Sequence, residues 1–316
     1  MSEADGGAEQ PGGRDAGGEE RPEERPAVAI LLMVVAMSVV PFMDAFAKLL
    51  SRDLPVEQVA WARFVFGLLF ILPIALYRYG PRVTFRPKQP ALQFLRGLLT
   101  AASSLFFFSA ISMAPIADAL ALIFIAPLVV TALSPFVLQE RVGIHRWAAV
   151  WVGFAGALII IRPGLGSIDL AMLLAAGAGV SHGFFLLVTR RLSRSGPPLA
   201  TLTVTTLVGA LVLVFLQPFV WTMPEPHHWL YFAAMGFCAA LGHFLLIKAF
   251  EQGTATLLAP FGYSEIVAAT ALGFFIFGDF PDRITWLGIV VIVASGLYIT
   301  FRERVRGRLP AARLRK

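Results

Sequence analysis

Residues 27–50 read AVAILLMVVAMSVVPFMDAFAKLL, and no charge interrupts them before Asp44. About 20 apolar residues in a helix cross the roughly 30 Å hydrocarbon core of a bilayer, so this one stretch is long enough. Others of the same kind follow it. They are separated by turn-forming residues: Pro55, Gly80-Pro81, Ala114-Pro115, Pro163-Gly164, Gly196-Pro197-Pro198, Pro224-Glu225-Pro226, Gly253 and Asp279-Phe280-Pro281-Asp282. The pattern predicts ten helices, over 27–50, 56–78, 91–112, 116–138, 146–162, 168–190, 197–219, 228–249, 255–277 and 283–301. Unpaired backbone groups are too costly in hydrocarbon for anything but helices or closed barrels. These blocks exceed the roughly 10-residue alternating strands of a barrel. The expected fold is an all-α integral membrane protein.

Composition agrees. The chain of 316 residues is 57% hydrophobic and 15% charged, with a mean hydropathy of +0.75. Soluble domains are about 45–50% apolar and about 25% charged. The net charge of +6 does not indicate a nucleic-acid partner, because the basic residues flank apolar blocks and no nucleic-acid motif accompanies them. Cys238 is the single cysteine, which excludes an internal disulfide and a multi-cysteine metal site. It sits in an apolar helix and reads as packing. Residues 1–26 carry eight acidic residues against Arg14, Arg21 and Arg25, and many glycines. They are expected to form a disordered tail without a core of its own. They lack the pattern of a cleaved secretory signal, so the first apolar block is expected to be retained as a helix.

The basic residues also give the helices a sidedness. With the N-terminus in the cytoplasm, that side collects 19 Lys and Arg, and the opposite side collects only Arg52, Arg162 and Arg283. Lys48, Arg63, Arg96 and Lys248 fall inside helices. The expected location is a cell (inner) membrane, multi-pass, with both termini cytoplasmic.

The two halves of the chain resemble each other at an offset of 139 residues, which places Trp147 on Trp286, Glu140 on Asp279, Ala155 on Ala294, Leu158 on Leu297 and Ala114 on Gly253. Five helices per half means that the second half enters from the other side of the membrane. Inverted repeats of this kind typify secondary transporters, with the solute site near the midplane between the repeats. The reading is a first repeat over 27–163, a second over 167–303 and a basic cytoplasmic tail over 304–316.

The motifs within these repeats carry a family resemblance. The first unit shows Lys48, Trp61-Ala62-Arg63-Phe64, Ile125-Ala126-Pro127, Leu138-Gln139-Glu140-Arg141, Trp147, Gly153 and Gly156. The second shows Pro260, Tyr263, Gly273, Phe277-Gly278-Asp279, Pro281-Asp282, Gly288 and Ser295-Gly296-Leu297-Tyr298. In order and spacing the chain resembles the EamA family of the drug/metabolite transporter superfamily, over about 28–303. Asp279 departs from the glutamate more usual at the end of helix 9, and the same helix-end role is expected of it. The resemblance implies alternating access and a central cavity lined largely by helices 3, 4, 8 and 9. It does not fix the solute, since relatives handle amino acids, nucleotide sugars, riboflavin and S-adenosylmethionine.

Ionisable groups within a membrane helix are costly and usually face a cavity or a partner. Glu265 lies near the midplane of helix 9, after Pro260, Gly262, Tyr263 and Ser264, which together loosen the helix. It is a candidate for binding an ammonium group or a coupling proton, with Tyr263 and Ser264 as candidate substrate-binding neighbours, and an interhelical hydrogen bond is the bland alternative. His182 and His243 are also deep by counting, as titrating groups or as packing residues. Asp44, Lys48 and Arg63 form a charge cluster near the outer mouth, read either as structural or as an outer gate or an anion contact by Arg63. Asp44 and Lys48 are spaced for an ion pair on one helix face. Arg96 and Lys248 are expected to snorkel from helix ends. Asp118 suits a helix N-terminus. His227-His228 lack further ligands in the sequence, so no metal site is expected. Ala175, Gly179 and Gly183 form a small-residue stripe for close packing, within the protein or in a homodimer.

The predicted function is secondary-active transport of a small amino-acid-like, nucleotide-like or vitamin-like solute, with protons as a candidate partner. No cofactor is expected. A membrane enzyme finds no nucleophile–base pair, metal cluster or phosphate loop in the sequence. A receptor or scaffold would need a sizeable extramembrane domain, and most loops are under about ten residues. The 19-to-3 charge split predicts that a reporter fused to the C-terminus signals the cytoplasmic side. A reporter that signals the external side would overturn the helix alternation.

Overall fold

The computed structural model describes residues 26–137, 143–161, 169–192 and 196–307. The helices are α1 Pro26–Leu50, α2 Val56–Phe85, α3 Pro90–Met113, α4 Ile116–Ile123, α5 Ala126–Val137, α6 Ile144–Ile161 and α7 Leu170–Leu192. They continue with α8 Pro198–Val214, α9 Gln217–Val220, α10 Pro226–Gln252, α11 Ala255–Gly262, α12 Ser264–Leu272, a π-helical turn Gly273–Phe277 and α13 Arg283–Gly307. Among the described residues there is no strand. Prolines punctuate as the sequence suggested: Pro90, Pro198 and Pro226 each open a helix, where their missing N–H costs nothing. Gly80 turns the end of α2 with a positive φ of 72°.

Eight helical stretches among the described residues are long and apolar enough to cross a membrane, and 198–214 and 283–299 are apolar but shorter. Leu69, Trp151, Phe275 and Val290 stand exposed on the outside of the bundle. An apolar belt of this extent would drive aggregation in water. Against lipid it has its proper solvent. The chain is a multi-pass, all-helical membrane protein.

The packing obeys the 139-residue offset. α1 packs on α10, and the equivalent contact in the exchanged halves, α3 on α7, is also made. α2 packs on its own equivalent α8, and α6 on its equivalent α13. α5 packs on α7 as α12 packs on α1. Contacts that exchange in pairs under one offset are the pattern of a two-fold relation between the halves. The family motifs at 138–142, with Glu140, lie outside the described residues, as does Arg162.

Two predicted helices are each broken in the middle. The fourth divides into α4 and α5 at Phe124-Ile125, and the ninth into α11 and α12 at Tyr263. Pro127 removes the N–H that would bond the Ile123 carbonyl, and Pro260 loosens the end of α11. Phe124 and Tyr263 are equivalent under the same offset. Their rings meet across the bundle with centroids 4.9 Å apart. The repeat-related breaks therefore face each other at the centre of the molecule.

The small-residue stripe seats the first break. A methyl group built on Gly179 would collide with the Leu122 carbonyl and lie 3.3 Å from the Ile123 Cα, and one on Gly183 would lie 3.1 Å from the Ala126 carbonyl. The stripe thus packs α7 against α4 and α5 within one chain. Backbone cannot yield as a flexible side chain does, so overpacking here is expected to cost about 1–3 kcal/mol. Gly179→Val should lower the melting temperature of the purified protein, while Gly177→Ala, which meets only the Phe106 ring at 3.5 Å, should leave it nearly unchanged.

Candidate functional site

Around the two breaks the bundle gathers most of its buried charge. Asp44 on α1 is 1% exposed, and its Oδ1 has no hydrogen-bond partner among the described residues. Arg63 on α2 attracts it electrostatically. Arg63 is held by Ser104 on α3, to which its Nη1 donates, and its Nε lies 3.1 Å from the Met43 sulfur. The guanidinium also lies 5.0 Å from the Phe64 ring centre. Glu265, in the first turn of α12, lies deep in the bundle and close enough to Asp44 for mutual repulsion. It is nonetheless only half-buried. A group that is deep but partly uncovered faces internal open space rather than packed side chains.

The two deep histidines lie within electrostatic reach of the same arginine. Arg63 acts on both His182 and His243, and His243 acts on His182. His243 Nδ1 lies 2.8 Å from the Ala239 carbonyl. A carbonyl only accepts, so Nδ1 carries the proton and Nε2 is left as an acceptor. His182 stacks on Phe185 at 5.3 Å. Under the repeat offset His182 corresponds to Met43 and His243 to Ser104, the two residues that hold Arg63. The chamber is thus built on a symmetric frame with unlike chemistry in its two halves. Tyr263 lies at its edge through the stack on Phe124. Ser264 is used locally: its hydroxyl donates to the Phe261 carbonyl at 2.7 Å, which serves the break.

The structure brings Asp44, Arg63, Glu265, His182 and His243 together, but it separates Lys48 from them. The ion pair that the spacing offered between Asp44 and Lys48 is replaced. Lys48 Nζ donates to Asp279 Oδ2 at 2.7 Å and to the Ala114 carbonyl at 2.8 Å. Lys48 points toward the α1–α2 end of the bundle, where a long flexible ammonium finds a carboxylate from the other half. Asp279 does end its helix. Gly278 takes the left-handed conformation, φ 74°, and the Asp279 N–H returns to the Gly273 carbonyl at 3.0 Å. Phe277 lies under Lys48 and Arg52, at 4.9 and 5.4 Å. Further ties between the halves cluster at this end. Gln58 on α2 exchanges two hydrogen bonds with the Thr222 backbone, at 2.9 and 3.0 Å. His228 meets Asp53 at 3.3 Å.

Two other expectations change. Arg96 does not snorkel. It is 8% exposed and is held between halves by Thr189 and Thr205. The sequence signal was there, since a basic residue two turns inside α3 is too deep to escape easily, but its partners are 93 and 109 residues away. His227 and His228 do have a further neighbour: Asp53 converges with them, the candidate ligand atoms all lying within 4.8 Å. However, His228 Nδ1 accepts the Glu225 backbone N–H at 3.1 Å in a helix cap. Its Nε2 then carries the proton and donates to Asp53, leaving no lone pair there for a metal. The cluster reads as a strut. Lys248 pairs with Glu251 near the helix end, at 2.7 Å, as a surface group does.

Broken helices facing each other around a charged internal chamber define a membrane transporter of a small solute. The comparisons name the family: residues 27–162 and 169–301 each match the EamA-like transporter family, and the chain belongs to it. Over 261 residues it is 30% identical to the S-adenosylmethionine uptake transporter of Rickettsia bellii (strain RML369-C), covering 83% of this chain and 89% of that one. It is also 30% identical over 291 residues to the riboflavin transporter of Vibrio cholerae serotype O1, covering 89% and 95%. A protein of known crystal structure, 19% identical, superimposes with a TM-score of 0.61 over 91% of this chain and 100% of that one, a likeness of fold. The chain is thus a transporter of a small metabolite and not an enzyme.

The Lys48–Asp279 pair is half-shielded, with side-chain exposures of 12% and 31%, which places its worth between an exposed and a buried pair. Lys48→Met and Asp279→Asn should each lower thermal stability. The double variant should lose less than the two losses added, with a coupling of about 0.5–3 kcal/mol. Strict additivity in that cycle would show the contact to be energetically idle.

Proposed function

We propose that this protein is an alternating-access carrier of the cell (inner) membrane with both termini cytoplasmic, and that its solute is a zwitterionic or cationic metabolite with a flat ring, S-adenosylmethionine being the best fit. The observation that carries the reading is the imbalance of the chamber. Two deep carboxylates, Asp44 and Glu265, lie within repulsive reach of each other, and one arginine, Arg63, lies beside Asp44. Arg63 offsets one of them. The other calls for a positive charge from outside the protein. S-adenosylmethionine has an ammonium and a sulfonium for the carboxylates, a carboxylate for Arg63, and an adenine for the aromatic edge at Phe124 and Tyr263. The name of the Rickettsia relative supports this choice.

Riboflavin is the second reading, favoured by the same aromatic pair and by the Vibrio relative. It is neutral and leaves the surplus carboxylate without a counter-charge, unless that carboxylate takes a proton. Glu265 then serves as the coupling group.

Alternating access is supported by the packing. The ties at the α1–α2 end all cross between halves: Lys48 to Asp279, Gln58 to Thr222, Asp53 to His228. They close one mouth with polar contacts that can break and re-form, whereas the two-fold frame offers the exchanged arrangement at the other mouth. The charge sidedness supports an outer position for the closed mouth.

The test is uptake by the full chain in proteoliposomes, with radiolabelled S-adenosylmethionine and riboflavin, each with and without a pH gradient. Glu265→Gln keeps shape and removes charge. A charge-assisted contact is worth about 1.5–3 kcal/mol, so apparent affinity for S-adenosylmethionine should fall about 10- to 100-fold. If Glu265 instead carries a proton, the variant should lose gradient-driven uptake and keep exchange. Unchanged affinity and unchanged gradient response in well-inserted protein would remove Glu265 from the site.

A further inference from the structure

Arg96 is a buried cation whose contacts are all neutral. Its Nε donates to the Thr189 hydroxyl and its Nη1 to the Thr205 hydroxyl, both at 2.9 Å, and its guanidinium lies 4.9 Å from the Phe185 ring centre. No carboxylate pairs with it among the described residues, although Lys48 has Asp279 and Arg63 has Asp44. A charge at such depth is expensive, by about 2.5–3.5 kcal/mol on insertion scales, and is usually kept for a partner or a pathway.

The threonines hold the guanidinium in place without filling it. Thr189 and Thr205 already donate their own protons to the Phe185 and Thr201 carbonyls, at 2.7 and 2.8 Å. Each therefore accepts from Arg96 and has no proton to offer an anion. A guanidinium has five N–H donors, so three remain beyond those two contacts, in a fork suited to an oxyanion. Arg96 and Arg63 line the same cavity, with Thr100, Thr205 and His243 between them. That cavity runs from the chamber along α2 and α3, away from the tied α1–α2 end.

We propose that Arg96 is a second binding station for the solute's carboxylate, occupied on passage between the Arg63 chamber and the α2–α3 mouth. It rests on the reading of the solute as a carboxylate-bearing metabolite. Two stations along one path, each of moderate strength, let a charged group cross a low-dielectric core without one trap deep enough to hold it.

Two measurements test it on the full chain. In detergent at constant ionic strength, acetate is titrated against chloride while melting temperature is followed. Wild type should show a saturable rise. Arg96→Gln should shrink the rise at least twofold, leaving only what Arg63 binds, and Arg96→Lys, which keeps charge but loses the fork, should shrink it less. This arm needs no transported solute, so it stands even if S-adenosylmethionine proves to be the wrong one. In proteoliposomes, Arg96→Gln should raise the KM for S-adenosylmethionine about tenfold or more, leave the KM for decarboxylated S-adenosylmethionine unchanged, and weaken the inhibition by acetate seen in wild type. A saturable rise of equal size in Arg96→Gln overturns the station. So does acetate binding that leaves uptake uninhibited, or an equal KM change for both solutes. If Arg96→Gln fails to fold, Arg96→Lys and Thr205→Val carry the same comparisons, the latter removing one contact that aims the guanidinium.

Discussion

Every backbone polar group in hydrocarbon must find a partner, and the rest of this molecule depends on where that demand is relaxed. It is relaxed at Phe124-Ile125 and at Tyr263, where the fourth and ninth predicted helices break. Non-helical backbone at membrane depth is tolerated only where protein or a polar cavity surrounds it. The small face of α7 closes over the first break, with Gly179 against the Leu122 carbonyl. The Phe124–Tyr263 stack covers both. Polar side chains from α1, α2, α7 and α10 gather beside them. A chamber is the physical consequence of placing two breaks opposite each other.

The same demand accounts for the distribution of charge. The four basic residues that hydropathy places within the membrane helices have each been given company. Lys48 reaches Asp279 across the halves, Lys248 reaches Glu251 along its own helix, Arg63 lies with Asp44, and Arg96 lies among hydroxyls and an aromatic ring. The neutral surroundings of Arg96 and the surplus carboxylate beside Arg63 are complementary imbalances, and Arg63 and Arg96 line one cavity. A zwitterionic solute would meet both.

Symmetry and chemistry are separable here. Packing follows the repeat offset closely: α1 on α10 and α3 on α7, α2 on α8, α6 on α13. The candidate site residues do not follow it. Glu265 corresponds to Ala126, His182 to Met43 and His243 to Ser104. A symmetric frame can offer two related conformations, and an asymmetric lining can prefer one solute.

The sequence by itself determined the membrane, the helical class, the repeat and the depth of Glu265, His182 and His243, because these follow from hydropathy, proline placement and counting along an axis of 1.5 Å per residue. It also marked the loosened stretch before Glu265, since Pro260 acts on its own neighbours. It did not decide which charges meet. Spacing offered Asp44 to Lys48, four residues away, and the fold gave Lys48 to Asp279, 231 residues away. It left Arg96 to the interface, and the fold enclosed it between α3, α7 and α8. Pro127 marks the break at Phe124 locally, but that Tyr263 stands opposite it is decided by packing. Hydropathy and local turn chemistry are properties of neighbours in the chain. A counter-charge is a property of neighbours in space, and only helix packing brings residues from the two halves within reach of one another.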